Sequence, residues 1–170
     1  MAIIISDTNI FVDLYNTELL DYLFSLTEEI HTVKQVLFEL IDKKQSESLA
    51  KFISDGKLFI KSFDFTELAE LYEFSTHCSN RLSEPDIAVV FYGHQTNGVI
   101  LSGDRRLRSK AESIGIEVHG ILYVVKRLVT DGIITVKIAI NALEKLINTN
   151  PRLPKSDIDR LIEELHNSLK

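Results

Sequence analysis

Residues 2–9 read Ala2-Ile3-Ile4-Ile5-Ser6-Asp7-Thr8-Asn9, and this stretch decides the fold. A short solid apolar run rich in β-branched residues suits a strand buried on both faces of a parallel sheet. Asp7 follows the run directly, and a helical stretch begins near Asn9. The pattern recurs at Gly98-Val99-Ile100-Leu101, with Asp104 just beyond Ser102-Gly103 and a helix predicted over Arg105 to Ile114. Ile116 to Val118 is a third, weaker run, and Ile30 to Val33 and Leu58-Phe59-Ile60 are further strands of the same kind.

Between the runs the apolar spacing turns helical. Leu19, Leu20, Leu23 and Phe24 form one stripe; Val36, Leu37, Leu40 and Ile41 a second; Leu68, Leu71 and Tyr72 a third. Ile87 to Tyr92 is apolar on every side, the mark of a helix inside the core. Strands alternating with helices predict an α/β layered fold with right-handed crossovers. The last third is helical: Leu122, Val125 and Val129, then Ile138, Ala142, Leu143, Leu146 and Ile147. After Pro151 and Pro154, Ser156 is placed to cap a final helix carrying Ile158, Leu161, Ile162, Leu165 and Leu169.

Composition limits the function. The 170 residues fit one domain, with a motif-bearing core over 1–130 and a helical extension over 131–170. Hydrophobic residues at 45% and charged ones at 26% are the balance of a globular protein, against disorder. One cysteine, Cys78, cannot form an internal disulfide, which points to a reducing cytoplasm. No signal peptide, transmembrane segment or membrane partner is expected. With 19 basic against 25 acidic residues, the chain does not coat nucleic acid through its overall field. The five histidines lack zinc-ligand spacing, and there is no Gly-x-Ser-x-Gly elbow, phosphate loop or Gly-x-Gly-x-x-Gly turn.

What remains is the placing of the acids. Asp7 and Asp104 each follow a strand, and in open α/β sheets ligands bind beyond the carboxyl ends of the strands. Each is equally placed to be a helix N-cap. Asp86 opens the all-apolar helix, where a carboxylate needs a donor or a cation; a capping box from Ser83 to Asp86 accounts for it as well. Glu39 lies almost opposite the apolar face of its helix, so its side chain looks either at bulk water or into a cleft. Four converging carboxylates make sense around hard divalent cations such as Mg²⁺ or Mn²⁺.

The ordered segments Ser6-Asp7-Thr8-Asn9-Ile10-Phe11-Val12, Val36-Leu37-Phe38-Glu39-Leu40, Leu82-Ser83-Glu84-Pro85-Asp86-Ile87-Ala88, Ile100-Leu101-Ser102-Gly103-Asp104 and Ala111 to Gly120 resemble those of PIN-domain nucleases, over roughly residues 1 to 130. The helical tail is similar to that of stand-alone, VapC-like prokaryotic members. The resemblance implies a three-layer α/β/α sandwich with a central, mostly parallel sheet and a helical C-terminal extension. It places the family's acidic quartet on Asp7, Glu39, Asp86 and Asp104, with Asn9 and Ser102 as accessory polar positions. Asp7, Asp86 and Asp104 would hold Mg²⁺ or Mn²⁺; Glu84 is an alternative third ligand.

The implied activity is metal-dependent hydrolysis of RNA phosphodiesters, with an antitoxin protein and a homodimer among the partners of such proteins. Arg105, Arg106, Arg108 and Lys110, with Arg81, are placed to grip flanking phosphates or to line a solvated helix face, Arg108 pairing with Glu112. Two other functions compete. A haloacid-dehalogenase-type phosphatase needs a second aspartate where this chain has Asn9. A non-catalytic PIN-like module would bind RNA or protein without turnover.

Overall fold

The computed structural model describes residues 2–79 and 81–168. In chain order the elements are β1 (Ile3–Ser6), α1 (Thr8–Asn16), α2 (Leu20–Leu23), β2 (Glu29–Val33), α3 (Lys34–Glu39), α4 (Lys43–Ser54), β3 (Leu58–Lys61), α5 (Phe65–Thr76), α6 (Glu84–Thr96), β4 (Val99–Leu101), α7 (Arg105–Ser113), β5 (Val118–His119), α8 (Ile121–Thr130), α9 (Val136–Thr149) and α10 (Lys155–Asn167). The five strands form one sheet in the order β3-β2-β1-β4-β5, and every neighbouring pair is parallel. All five expected strands are present.

The order has a consequence for function. From β1 the chain steps outward to β2 and β3, then returns to the other side of β1 for β4 and β5. Right-handed crossovers then put the helices between β1, β2 and β3 on one face, and α5 to α7 on the other. The sheet is therefore the middle of three layers. Between β1 and β4 the direction of travel reverses, which opens a crevice at the carboxyl ends of those two strands.

The helix read as apolar on every side is central. α6 buries Ala88, Val89, Val90, Phe91, Tyr92 and Gly93 and packs on β1, β2 and β4. It lies so close to β4 that a Cβ at Gly93 would meet Ile100 Cδ1 at 2.8 Å, so only glycine fits without a shift. The C-terminal helices complete the core: α9 buries Ala139, Ala142, Leu143 and Leu146, and α10 buries Ile158, Leu161 and Leu165. α9 rests on α1 and α8, so the tail covers the layer that begins at Asp7. Among the described residues no helix is long and apolar enough to cross a membrane.

Several helical stripes differ from expectation. α3 stops at Glu39 because Asp42, accepting from the Lys44 and Gln45 N–H groups, restarts the helix at Lys43. Leu40 therefore falls after the helix, and Ile41 is 95% exposed. On α5 only Leu71 is buried; Leu68 and Tyr72 face outward. On α8 the buried face is Ile121, Val124, Val125 and Leu128, with Leu122 and Val129 at its margin. On α9 the buried face is Ala139, Ala142, Leu143 and Leu146, spaced as one helical stripe, and Ile138 falls one position off it, largely outside the core. Ser156 caps nothing: Pro154, with φ −61°, starts α10 directly at Lys155. Leu169 lies outside the described residues.

Candidate active site

Ser6 pairs with Leu101, and the Asp7 N–H donates to the Leu101 carbonyl at 2.9 Å, so the ends of β1 and β4 are locked side by side. Asp7 thus projects at the reversal point of the sheet. It is 3% exposed. Its Oδ1 accepts from the Thr8 N–H at 2.7 Å, which makes it the N-cap of α1. Its Oδ2 accepts from Ser102 Oγ at 2.8 Å and from the Asn9 side-chain amide.

Both braces are themselves braced. Asn9 Oδ1 accepts from the Gly103 N–H at 2.8 Å, and Ser102 Oγ accepts from the Asp104 N–H at 3.1 Å. The loop after β4 therefore holds the acid after β1. Burial pushes the Asp7 carboxyl up to about 6; the bonds from Ser102 and Thr8 pull against this, while the charges of Asp86 and Glu39 add to it. Asp86 and Glu39, from two other helices, thus stand near enough for their charges to act on Asp7.

The helical wheel left Glu39 undecided. In the fold its polar face looks toward Asp7: Glu39 is exposed at the end of α3, and its Oε2 accepts from Thr8 Oγ1 at 2.5 Å. Thr8, one residue past the Asp7 cap, is a site residue that the sequence did not single out. Asp86 forms the expected capping box: its Oδ2 accepts from the Ser83 N–H at 2.9 Å, and its own N–H donates to Ser83 Oγ at 3.2 Å. Its charge nonetheless acts on Asp7. Glu84 is not among the charges acting on Asp7; it lines a separate pocket with Lys34, Gln35, Phe38 and Phe63.

Asp104 caps α7, its Oδ1 accepting from the N–H groups of Arg106 at 2.8 Å and Leu107 at 3.0 Å. Among the described residues no three His, Cys, Asp or Glu side chains stand together as a ready-made metal cage. Asp86 and Asp104 are each turned to their own helix.

The basic residues divide. Arg105 and Arg81 are exposed; Arg106 donates to the Arg81 carbonyl at 3.4 Å. Arg108 makes the expected pair with Glu112, at 3.8 Å, and Lys110 donates to the His77 carbonyl at 3.1 Å. A second buried acid escaped the sequence reading. Asp13, 6% exposed on α1, accepts from Asn150 Nδ2 at 2.8 Å. Burial pushes it up to about 6, while Asn150 and Arg152 pull it down. The signal was a lone acid within Ile10-Phe11-Val12-Asp13-Leu14.

A parallel sheet whose reversal point carries a buried, braced aspartate, with the charges of Asp86 and Glu39 acting on it, defines the class as an α/β protein with an acid at its topological switch point. The chain belongs to the PIN-domain family: the family model DUF3368, a PIN domain, matches residues 3–167. No curated protein sequence matches the chain. Its fold is similar to that of PAE2754 from Pyrobaculum aerophilum, with a TM-score of 0.54 at 13% identity, covering 76% of this chain and 99% of that one. A chain of VapBC2 from Rickettsia felis, in a structure bound to a DNA fragment from their promoter, aligns with a TM-score of 0.49 at 19% identity over 69% of this chain and 98% of that one.

Proposed function

We propose that this PIN-domain protein is a metal-dependent ribonuclease and acts as the toxin of a toxin–antitoxin pair. The observation that supports the reading most strongly is the buried Asp7 carboxyl at the β1/β4 reversal, raised to about 6, with the charges of Asp86 and Glu39 turned on it. A cluster of like charges held in place by neutral donors is frustrated, and a cation relieves it. The donor set is all oxygen, which suits Mg²⁺ or Mn²⁺. Asp7, Asp86 and Asp104 would hold the ion, the last two on release from their caps.

When bound, the ion lowers the pKa of a water and offsets charge on a scissile phosphate. The chain's own residues set up that chemistry. Ser102 and Asn9 fix the Asp7 carboxylate, and the bonds they donate favour its charged form. Glu39, which accepts from Thr8 Oγ1, would be the acceptor that orients a water. Arg105 and Arg81 offer exposed guanidinium forks for flanking phosphates. An antitoxin would cover this crevice, and a homodimer is compatible with the exposed apolar residues of α3 and α5.

The caps on Asp86 and Asp104 favour a second reading, a module that binds RNA or protein without cleaving. Asn9, engaged with Asp7 and Gly103, stands where a phosphatase of the haloacid-dehalogenase type needs its second aspartate. The deciding assay is cleavage of single-stranded and structured RNA by the full chain with Mn²⁺, with Mg²⁺ and with EDTA. The ribonuclease reading expects cleavage that needs the metal and vanishes in Asp7→Asn. Mn²⁺ binding without cleavage of any RNA supports the module instead.

A further inference from the structure

We propose that Thr8 is a positioning residue whose hydroxyl sets where the Glu39 carboxylate stands beside Asp7. The proposal rests on the metal-dependent reading of the site and adds a residue that acts on the reaction through another. Thr8 donates to two acids at once. Its backbone N–H donates to Asp7 Oδ1 at 2.7 Å, and its Oγ1 donates to Glu39 Oε2 at 2.5 Å. One residue thus ties the acid after β1 to the acid that ends α3, 31 positions further along the chain.

The local structure explains why this hydroxyl is available. Inside a helix a threonine hydroxyl commonly turns back to a carbonyl three or four residues earlier. Thr8 is the first residue of α1, and Ile5 and Ile4 behind it belong to β1, so no helical carbonyl lies within that reach. The hydroxyl donates across to α3 instead. The β-branched side chain also has few rotamers, which keeps the donor aimed.

Glu39 needs such a hold. It is exposed, and among the described residues the Thr8 hydroxyl is the one hydrogen-bond partner of its side chain, with no cation paired to it. It ends the six-residue α3, where a carboxylate meets the partial negative charge of the last helical carbonyls. The charges of Glu39 and Asp7 also oppose one another. Both effects disfavour an acid at this position, so a neutral donor that holds one there serves the site rather than the helix. The bond divides the two oxygens as well: Oε2 is taken by Thr8, and Oε1 is left to accept from a water.

The test is a double-mutant cycle on the full chain: wild type, Thr8→Val, Glu39→Gln and the two together, with Thr8→Ser as the conservative variant. All keep the N–H that Asp7 accepts. Mn²⁺ calorimetry without RNA gives a readout independent of turnover, and thermal melts report folding; Thr8→Ala repeats each measurement if valine disturbs the melt. Thr8→Val should weaken Mn²⁺ binding by about tenfold. In the Glu39→Gln background the same substitution should change affinity by less than about twofold. Thr8→Ser should bind within about threefold of wild type. In single-turnover cleavage, Thr8→Val should lower the rate at saturating RNA by about 10- to 100-fold and leave KM unchanged.

An equal loss of Mn²⁺ affinity in both backgrounds would overturn the proposal, since Thr8 would then act through Asp7 or through the start of α1. A Thr8→Val variant that binds as the wild type does, or a Thr8→Ser variant as weak as Thr8→Val, would overturn it too. So would a wild type that binds no Mn²⁺, which removes the metal-dependent reading as well. Mn²⁺ binding without cleavage of any RNA would remove the ribonuclease reading alone, and the calorimetric cycle would still decide the role of Thr8.

Discussion

Asp7 and Asp13 flank the same helix: one caps α1, the other lies in its last half, and burial raises both carboxyls to about 6. The desolvation is shared; the neighbours are opposite. Asp13 meets Asn150 and Arg152, both of which favour its charge. Asp7 meets neutral donors, and beyond them Asp86 and Glu39, which oppose its charge. The Asp13 clasp is completed within the chain, joining α1 to the turn between α9 and α10. The Asp7 site is braced in position and left short of positive charge. On the proposed reading, similar pKa shifts mark a finished structural contact at Asp13 and a site awaiting a cation at Asp7, and the difference lies in which charges stand behind the first hydrogen bond.

The largest effect that could break this contrast is catalytic. Asp7→Asn should reduce Mn²⁺-dependent RNA cleavage by about 10²- to 10⁴-fold, the range for losing a group that acts in the reaction, in single-turnover assays. Asp13→Asn should leave cleavage within a few-fold of wild type. A smaller effect sharpens the role of the brace: Ser102→Ala, which removes the 2.8 Å bond to Asp7, should weaken Mn²⁺ binding by about 10- to 100-fold, read by calorimetry.

The smallest effect is on stability. In metal-free buffer both carboxyls bind a proton more tightly folded than unfolded. Their contribution is therefore fully present below about pH 4 and is lost as pH rises through about 6. Urea melts should show this as a loss of about 1–3 kcal/mol per group between pH 4 and 7.5. At pH 7.5, Mn²⁺ at about a hundred times its wild-type dissociation constant should restore about 2.7 kcal/mol in wild type and in Asp13→Asn, and at most about 1.4 kcal/mol in Asp7→Asn.

Much of this was legible in the sequence because it rests on local chemistry. The solid run at Ile3-Ile4-Ile5 and the acids just beyond two strands give the parallel sheet and the position of Asp7. The capping box at Ser83 to Asp86 could be written down from spacing alone. What escaped reading depends on which elements become neighbours. Glu39 is a surface residue by periodicity, and only the approach of α3 to the start of α1 turns it toward Thr8. Asp13 finds Asn150, 137 residues away, through packing of α9 on α1. Leu68 and Tyr72 belong to an expected stripe and are exposed all the same, because a stripe predicts burial only where another element arrives to cover it.

The most direct test of the central claim, that the charges around Asp7 await a cation and those around Asp13 do not, is Mn²⁺ calorimetry at pH 7.5 on wild type, Asp7→Asn and Asp13→Asn. The account predicts equal affinity for wild type and Asp13→Asn, and a loss of at least about tenfold in Asp7→Asn. Mn²⁺ bound as tightly by Asp7→Asn as by the wild type would contradict it.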